Sequence, residues 1–319
     1  MARMRDRTGI PAFAVRVCNA LAGWFDSAAA PSRPGNPRQI DWLRVLPFIA
    51  LHVACLAALW TGWSPTALAV AAALYALRMF AVTGFYHRYF SHRAFRASRA
   101  AQFAFAVLGA SAVQRGPLWW ASHHRHHHAH ADDEHDAHSP HRHGLLWSHF
   151  GWFLARDNFS TRSDLVKDLA VFPELRFLDR YDALVPLALA VCLYGLGEWL
   201  AAVHPALATD GPMLVVWGFC ISTIALYHAT FAVNSLAHTL GSRRYACRDR
   251  SRNNLWLALL TFGEGWHNNH HHFPGSARQG FHWWEIDVTY YLLRLLAAIG
   301  VIHDLRGPPA GIRDARRST

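Results

Sequence analysis

Long apolar runs separated by short polar ones are the first regularity of the chain. Residues 45–63 and 66–86 are each long enough to cross a hydrocarbon layer about 30 Å thick, and residues 184–203 and 212–233 form a second such pair. Each pair is joined by a turn, Gly62-Trp63-Ser64-Pro65 in the first and residues 204–211 in the second, so the pattern predicts two helical hairpins and four spans. Neither turn holds a Lys or Arg, whereas the other connections are rich in Arg. Cationic loops are retained inside the cell, which puts both hairpin tips outside and both termini in the cytoplasm. Residues 97–113 and 283–302 are also apolar. Arg96, Arg99 and Arg115 bound the first, and Glu285, Asp287 and Arg294 interrupt the second, so both are expected to lie along the membrane and not across it. The expected division is a cytoplasmic arm over residues 1–41, one domain over 42–303 and a basic tail over 304–319. The arm is expected to be a surface helix or disordered, without a signal-peptide cleavage site.

The polar ends of the apolar runs carry the chemistry. In Trp119-Trp120-Ala121-Ser122-His123-His124-Arg125-His126-His127-His128, the residues His124, His127 and His128 stand at i, i+3 and i+4. On a helix of about 3.6 residues per turn they fall within an arc of about 100°, so their nitrogens can converge. Trp266-His267-Asn268-Asn269-His270-His271-His272 repeats that spacing with His267, His270 and His271. His87 and His92 close another run; five residues apart, they point about 140° away from each other on an ideal helix and suit its frayed end. Asn234-Ser235-Leu236-Ala237-His238 ends the fourth. Four polar stations at the ends of apolar segments imply one shared site, and the charge pattern alone gathers all of them on the cytoplasmic side. Imidazole is the commonest metal ligand. Nine histidines exceed what one four-coordinate structural zinc uses, so the count suits two ions; ligand affinity does not name the metal.

In this order, the boxes HxxxxH, HRxHH and HxxHH, with NSLAH between the last two, resemble the membrane-bound fatty acyl desaturases of the stearoyl-CoA desaturase type. The setting Gly263-Glu264-Gly265-Trp266 before the third box and Phe273-Pro274 after it are similar too, and the resemblance runs from about residue 42 to about 290. It implies an all-α integral membrane protein whose four membrane helices support a cytoplasmic helical cap, and a bacterial protein of this kind would lie in the inner membrane. It implies two irons that activate O2, with the residue matching Asn234 holding one through a water, and a cis double bond placed at Δ9 of a fatty acyl chain. A bent substrate tunnel in that family is lined by a Gln, a Trp and a Thr, which Gln114, Trp120 and Thr230 match by position. The Arg-Asp pair that precedes the second box in animal acyl-CoA enzymes is here Ser122-His123, so CoA, acyl carrier protein and glycerolipid all stay open as carriers.

The remaining features are expected to be structural. Glu264 is expected to orient a ligand imidazole, and Asp132, Asp133, Asp136 and His138 resemble the acidic stretch after the family's second box. His123, His126, His130, His135, His138, His141, His143 and His272 are read as neighbours of the ligands, and His52, His204, His228 and His303 as local hydrogen-bonding groups. A net charge of +10 comes from arginines scattered between apolar segments, with Lys167 the one lysine, which fits an anionic lipid surface and not nucleic acid. The five cysteines share no metal-site spacing. No cytochrome-like or flavin-binding segment is evident, so electrons would come from a separate ferredoxin, rubredoxin or cytochrome. Two rival readings are a hydroxylase of an alkane, sterol or carotenoid, and a metal transporter. Transport predicts ionisable groups along a mid-membrane path, and only His52, Arg78 and His228 come near that.

Overall fold

The computed structural model describes residues 12–28 and 38–315. Residues 1–11 and 29–37 of the expected arm and 316–319 of the tail lie outside them. A first helix, α1 (Ala12–Phe25), is tied to the rest by the Trp24 indole donating to the Leu43 carbonyl and by Asp26 pairing with Arg180. Four helices are then long and apolar enough to cross a membrane: α2 (Trp42–Thr61), α3 (Pro65–Ser91), and, after the cap helices described below, Leu184–Val203 and Gly211–Leu236. The predicted hairpins are present. Ser64 caps the first turn of α3 by accepting from the Ala67 N–H, with Pro65 fitting the first helical position. Asp210 does the same for the last span through the Met213 N–H.

Both hairpin tips meet, since the Ser64 and Thr209 hydroxyls lie 2.7 Å apart and the Trp217 indole donates to the Gly62 carbonyl. The opposite ends of the spans therefore share one side of the molecule. Large apolar side chains such as Leu59, Trp60 and Val191 stand outward, a face suited to acyl chains and not to water. At 27 residues α3 is about 40 Å long, so its last turns extend beyond the hydrocarbon and carry His87 with them.

Those last turns are not α-helical. Ala81–Ser91 is wound as a π-helix, and the His92 N–H donates to the His87 carbonyl at 3.2 Å, five residues back. A π-turn of this kind puts residues five apart on one face, and the rings of His87 and His92 sit 4.9 Å apart. A frayed end was the expectation for this pair; the winding does the turning inward instead.

The cap is helical as well, with a single two-stranded pairing of Arg96–Ala97 and Ile302–His303 among the described residues. It is built from α4 (Arg99–Ala110) and α5 (Pro117–His130) and, beyond the supporting spans α6 (Leu184–Val203) and α7 (Gly211–Leu236), from α8 (His267–His272) and α9 (Val288–Ala298). With 12 and 11 residues, α4 and α9 are too short to cross, in line with the surface-lying helices expected there. A core of Phe85, Tyr89, Phe90, Phe95, Phe105, Leu118, Leu175 and Leu293 packs α3 against α4, α5 and α9, with Phe85 stacked on Phe105 at 3.9 Å.

Candidate metal centre

The nine histidines singled out from spacing fall into two clusters. His87, His92, His124, His128 and His270 form one, and His127, His238, His267 and His271 the other; within each, one nitrogen per residue lies within 4.8 Å of all the others. The boxes on α5 and α8 are thus each divided between the clusters. On α5, His124 and His128 turn to the first and His127 to the second; on α8, His270 turns to the first and His267 and His271 to the second. The two clusters touch, with the His128 and His271 rings stacked at 4.5 Å.

Local structure fixes these faces. On α8 the two residues between the histidines point the other way. The Asn268 Oδ1 accepts from the Arg244 and Tyr245 N–H groups, and the Asn269 Nδ2 donates to Glu285 and to the Gln279 carbonyl. The loop before α8 is pinned to α3 by the buried Arg88, which pairs with Asp287 at 2.9 Å and Glu264 at 3.2 Å and donates to the Ala277 carbonyl. Gly263 sits in that loop at a φ of +125°, where a Cβ would fall 2.5 Å from Asp287 Oδ1. Only glycine meets both demands.

The nitrogens meet through Nε2. His87 and His270 approach at 3.0 Å, His270 and His128 at 2.9 Å, His92 and His124 at 2.7 Å, and His238 and His267 at 3.1 Å. Imidazoles bound at right angles to one ion at about 2.1 Å would stand about 3.0 Å apart. Mutual hydrogen bonding does not satisfy them, because His270 Nε2 faces two other Nε2 atoms and has a single proton to share, while the buried His271 Nε2 has no partner among the described residues. On the far side, carboxylates hold Nδ1: Glu264 on His87 at 2.5 Å, Asp136 on His127 at 3.1 Å, Asp132 on His238 at 2.9 Å and Asp249 on His271 at 2.9 Å. Such carboxylates fix the tautomer that offers the Nε2 lone pair and raise its basicity. The donor set fits metal binding.

Electrostatics agree. Burial first, and neighbouring imidazoles second, hold His92, His124, His128, His267 and His270 well below the ordinary imidazole value, and burial takes His271 down to about 4 despite Asp249. They are neutral at pH 7, the form that ligates. Burial also lowers His127, but Asp136, with Asp132 and Asp249 behind it, outweighs burial and the net shift is upward. Burial opposes ionisation of Asp132, Asp136, Asp249 and Glu264, yet the imidazoles beside them hold all four below the usual carboxylate range.

Glu264 was legible beside its box, and Asp132 and Asp136 in the acidic stretch. Asp249, Gln279 and Asp287 were not, since they lie in loops without any periodic pattern. Asn234 stands one turn before His238 at the end of α7, half-buried, with its carbonyl accepting from the Ser148 hydroxyl. Among the histidines read as neighbours, His138 is buried with its ring 4.3 Å from that of His127, in a third possible ligand group with Asp136. The others have local partners: His123 on the Ser160 carbonyl, His141 on the His238 carbonyl, and His272 stacked on Tyr245. His52 and His228 approach each other at 3.4 Å.

Gln114, Trp120 and Thr230 come together as well. The Gln114 Nε2 donates to the Thr230 hydroxyl at 2.8 Å, the Trp120 indole N–H to the Gln114 Oε1 at 3.4 Å, and the Trp120 ring stacks on His124 at 5.1 Å. An indole fixed on both edges thus walls the first cluster.

Comparison with known proteins leads to the same place. The fatty acid desaturase profile matches residues 61–303. The chain is 36% identical to an sn-1 stearoyl-lipid 9-desaturase of Anabaena variabilis, over 84% of this chain and 94% of the relative. It is 37% identical to an sn-2 palmitoyl-lipid 9-desaturase of Nostoc sp. (strain 36), over 89% and 96%. An icosanoyl-CoA 5-desaturase of Limnanthes douglasii is similar at 36%, over 86% and 74%. With a matched profile over most of its length and a histidine centre able to bind metal at the ends of its membrane helices, the chain belongs to the fatty acid desaturases, which are oxidoreductases of lipid metabolism.

Proposed function

We propose that this desaturase uses two iron ions and O2 to introduce a cis double bond at Δ9 of a saturated acyl chain. The balance is one –CH2–CH2– unit, O2, two electrons and two protons giving –CH=CH– and two waters. An alkyl methylene has no acidic proton and no electrophilic centre, so the hard step belongs to the oxidant that the iron pair makes from O2 when bound. The single observation that carries this reading is the convergence of imidazole nitrogens on two adjoining points, the first of them beside the Trp120 indole.

The protein's part is position. The first iron would be held by His87, His92, His124, His128 and His270, and the second by His127, His238, His267 and His271, with Asn234 reaching it through a water. Trp120, Gln114 and Thr230 would bend the acyl chain against the first cluster, because a reactive geometry tolerates little displacement. The two lipid 9-desaturases support Δ9, although the 5-desaturase is about as similar overall. In this reading the histidine side of the molecule and both termini face the cytoplasm, in a bacterial inner membrane, where a separate ferredoxin, rubredoxin or cytochrome supplies electrons.

The test is lipid profiling after expression in a host without its own desaturase. A cis-9 monoene as the main new product is expected, and the pool in which it first accumulates, glycerolipid, acyl-CoA or acyl carrier protein, identifies the carrier. A hydroxylated chain, or a bond mainly at another carbon, would overturn the reading.

A further inference from the structure

The segment between α4 and α5, residues 111–116, holds a conformation that its own residues disfavour. Val113 has a φ of 60° and Arg115 a φ of 70°, left-handed values that cost a β-branched residue most. Three side chains from the membrane helices hold it there by taking alternate carbonyls. The Arg78 guanidinium donates to the Ser111 carbonyl at 3.4 Å, the Tyr227 hydroxyl to that of Val113, and the Tyr86 hydroxyl to that of Arg115 at 3.2 Å. The residue left pointing the other way is Gln114, whose amide meets Thr230 and Trp120.

Each of the three donors is unusual for its place. Arg78 is fully buried in a span, and its partners, the Leu74 and Ser111 carbonyls and the Ser222 and Thr223 hydroxyls, are all uncharged. An apolar residue would serve packing there without the desolvation that a guanidinium suffers. Tyr86 is completely buried, and its ring occupies the space over Gly109, where a Cβ would lie 2.0 Å from it. Tyr227 stands three residues before Thr230 on the same helix, so one turn of α7 holds both the loop carbonyl and the Gln114 amide.

We infer that Arg78, Tyr86 and Tyr227 are positioning residues for regiochemistry: they clamp the 111–116 loop so that the Gln114 amide, with Trp120 and Thr230, stays at one height along the acyl chain. The inference rests on the proposed use of Gln114, Trp120 and Thr230 as the bend. A loop free to relax would let the chain settle at neighbouring registers, and loss of one buried neutral hydrogen bond corresponds to about a five-fold change in such a population.

The experiment compares Tyr227→Phe, Tyr86→Phe and Gln114→Ala with the wild type in the full-length, membrane-embedded enzyme. Double-bond position is read by mass spectrometry of derivatised products, with metal content and melting temperature measured alongside. The clamp predicts that both Phe variants keep their metal while raising the share of bonds at neighbouring carbons about five-fold, in the same direction as Gln114→Ala. If the Phe variants melt earlier but give the wild-type product distribution while Gln114→Ala changes it, the clamp is wrong and the bend stands. If Gln114→Ala also leaves the distribution unchanged, the bend reading fails and takes the clamp with it.

Discussion

At the scale of single residues, the centre depends on carboxylates as much as on imidazoles. A carboxylate holds Nδ1 on one ring of the first cluster, His87, and on three of the second, His127, His238 and His271, and the acid decides which nitrogen is free. Asp249→Asn removes the charge behind His271 and should weaken metal binding about 10–100-fold, read by competition with a chelator. An unchanged affinity would show that this acid does not support the site. His127→Ala should remove a ligand and abolish activity, whereas His126→Ala, whose ring pairs with His130 away from both clusters, should be tolerated. Full turnover by His127→Ala would contradict the division between clusters. The imidazoles were legible because their spacing is local and periodic. Asp249 was not, because it reaches His271 from 22 residues upstream through a loop.

The buried rings also set a pH dependence for the metal-free protein. Six of them have values lowered by folding, so the unfolded chain takes up their protons first as pH falls. Their contribution is therefore full above the ordinary value of about 6.5 and is lost progressively below it, down to about 4 for His271. His127, raised by Asp136 against burial, acts in the opposite sense but is one group against six. Thermal melts of metal-free protein should fall steadily between pH 7 and pH 5, and a flat profile would contradict the buried neutral state.

At the scale of elements, the π-winding of Ala81–Ser91 does what the sequence alone did not reveal. At α-helical spacing His87 and His92 diverge, so a reading by periodicity leaves the pair to a frayed end. Tertiary packing overrides that local preference, and five-residue hydrogen bonding brings both rings to one cluster. A consequence is that α-helical spacing should not substitute for it. Moving the second histidine one place, in Ser91→His with His92→Ala, should fail to restore metal to the first cluster. Recovery of the full metal content would show that the winding is incidental. The α5 and α8 boxes illustrate the converse. Their i, i+3, i+4 pattern led to the expectation that three nitrogens converge, but the rings divide between two clusters, and which ring turns to which cluster depends on how two helices meet, which is not a local property.

At the scale of the whole molecule, hydrophobic pattern and charge pattern are separate signals that converge. Four apolar runs became four helices, and the two Lys- and Arg-free turns became two tips in contact, with every histidine box at the opposite end. The arginine bias predicts that the histidine end faces the cytoplasm. Accessibility tags at residues 63 and 208 should react from outside the cell and tags at residue 140 and the C terminus should not; a residue 140 open to external protease would reverse the assignment. Each of the two imidazole clusters is expected to hold one ion, which metal analysis of the purified protein together with iron spectroscopy would read out. Two irons per chain in an imidazole-rich environment are expected, whereas a single ion per chain, or tightly held zinc in a protein that still desaturates, would rule out an iron in each cluster.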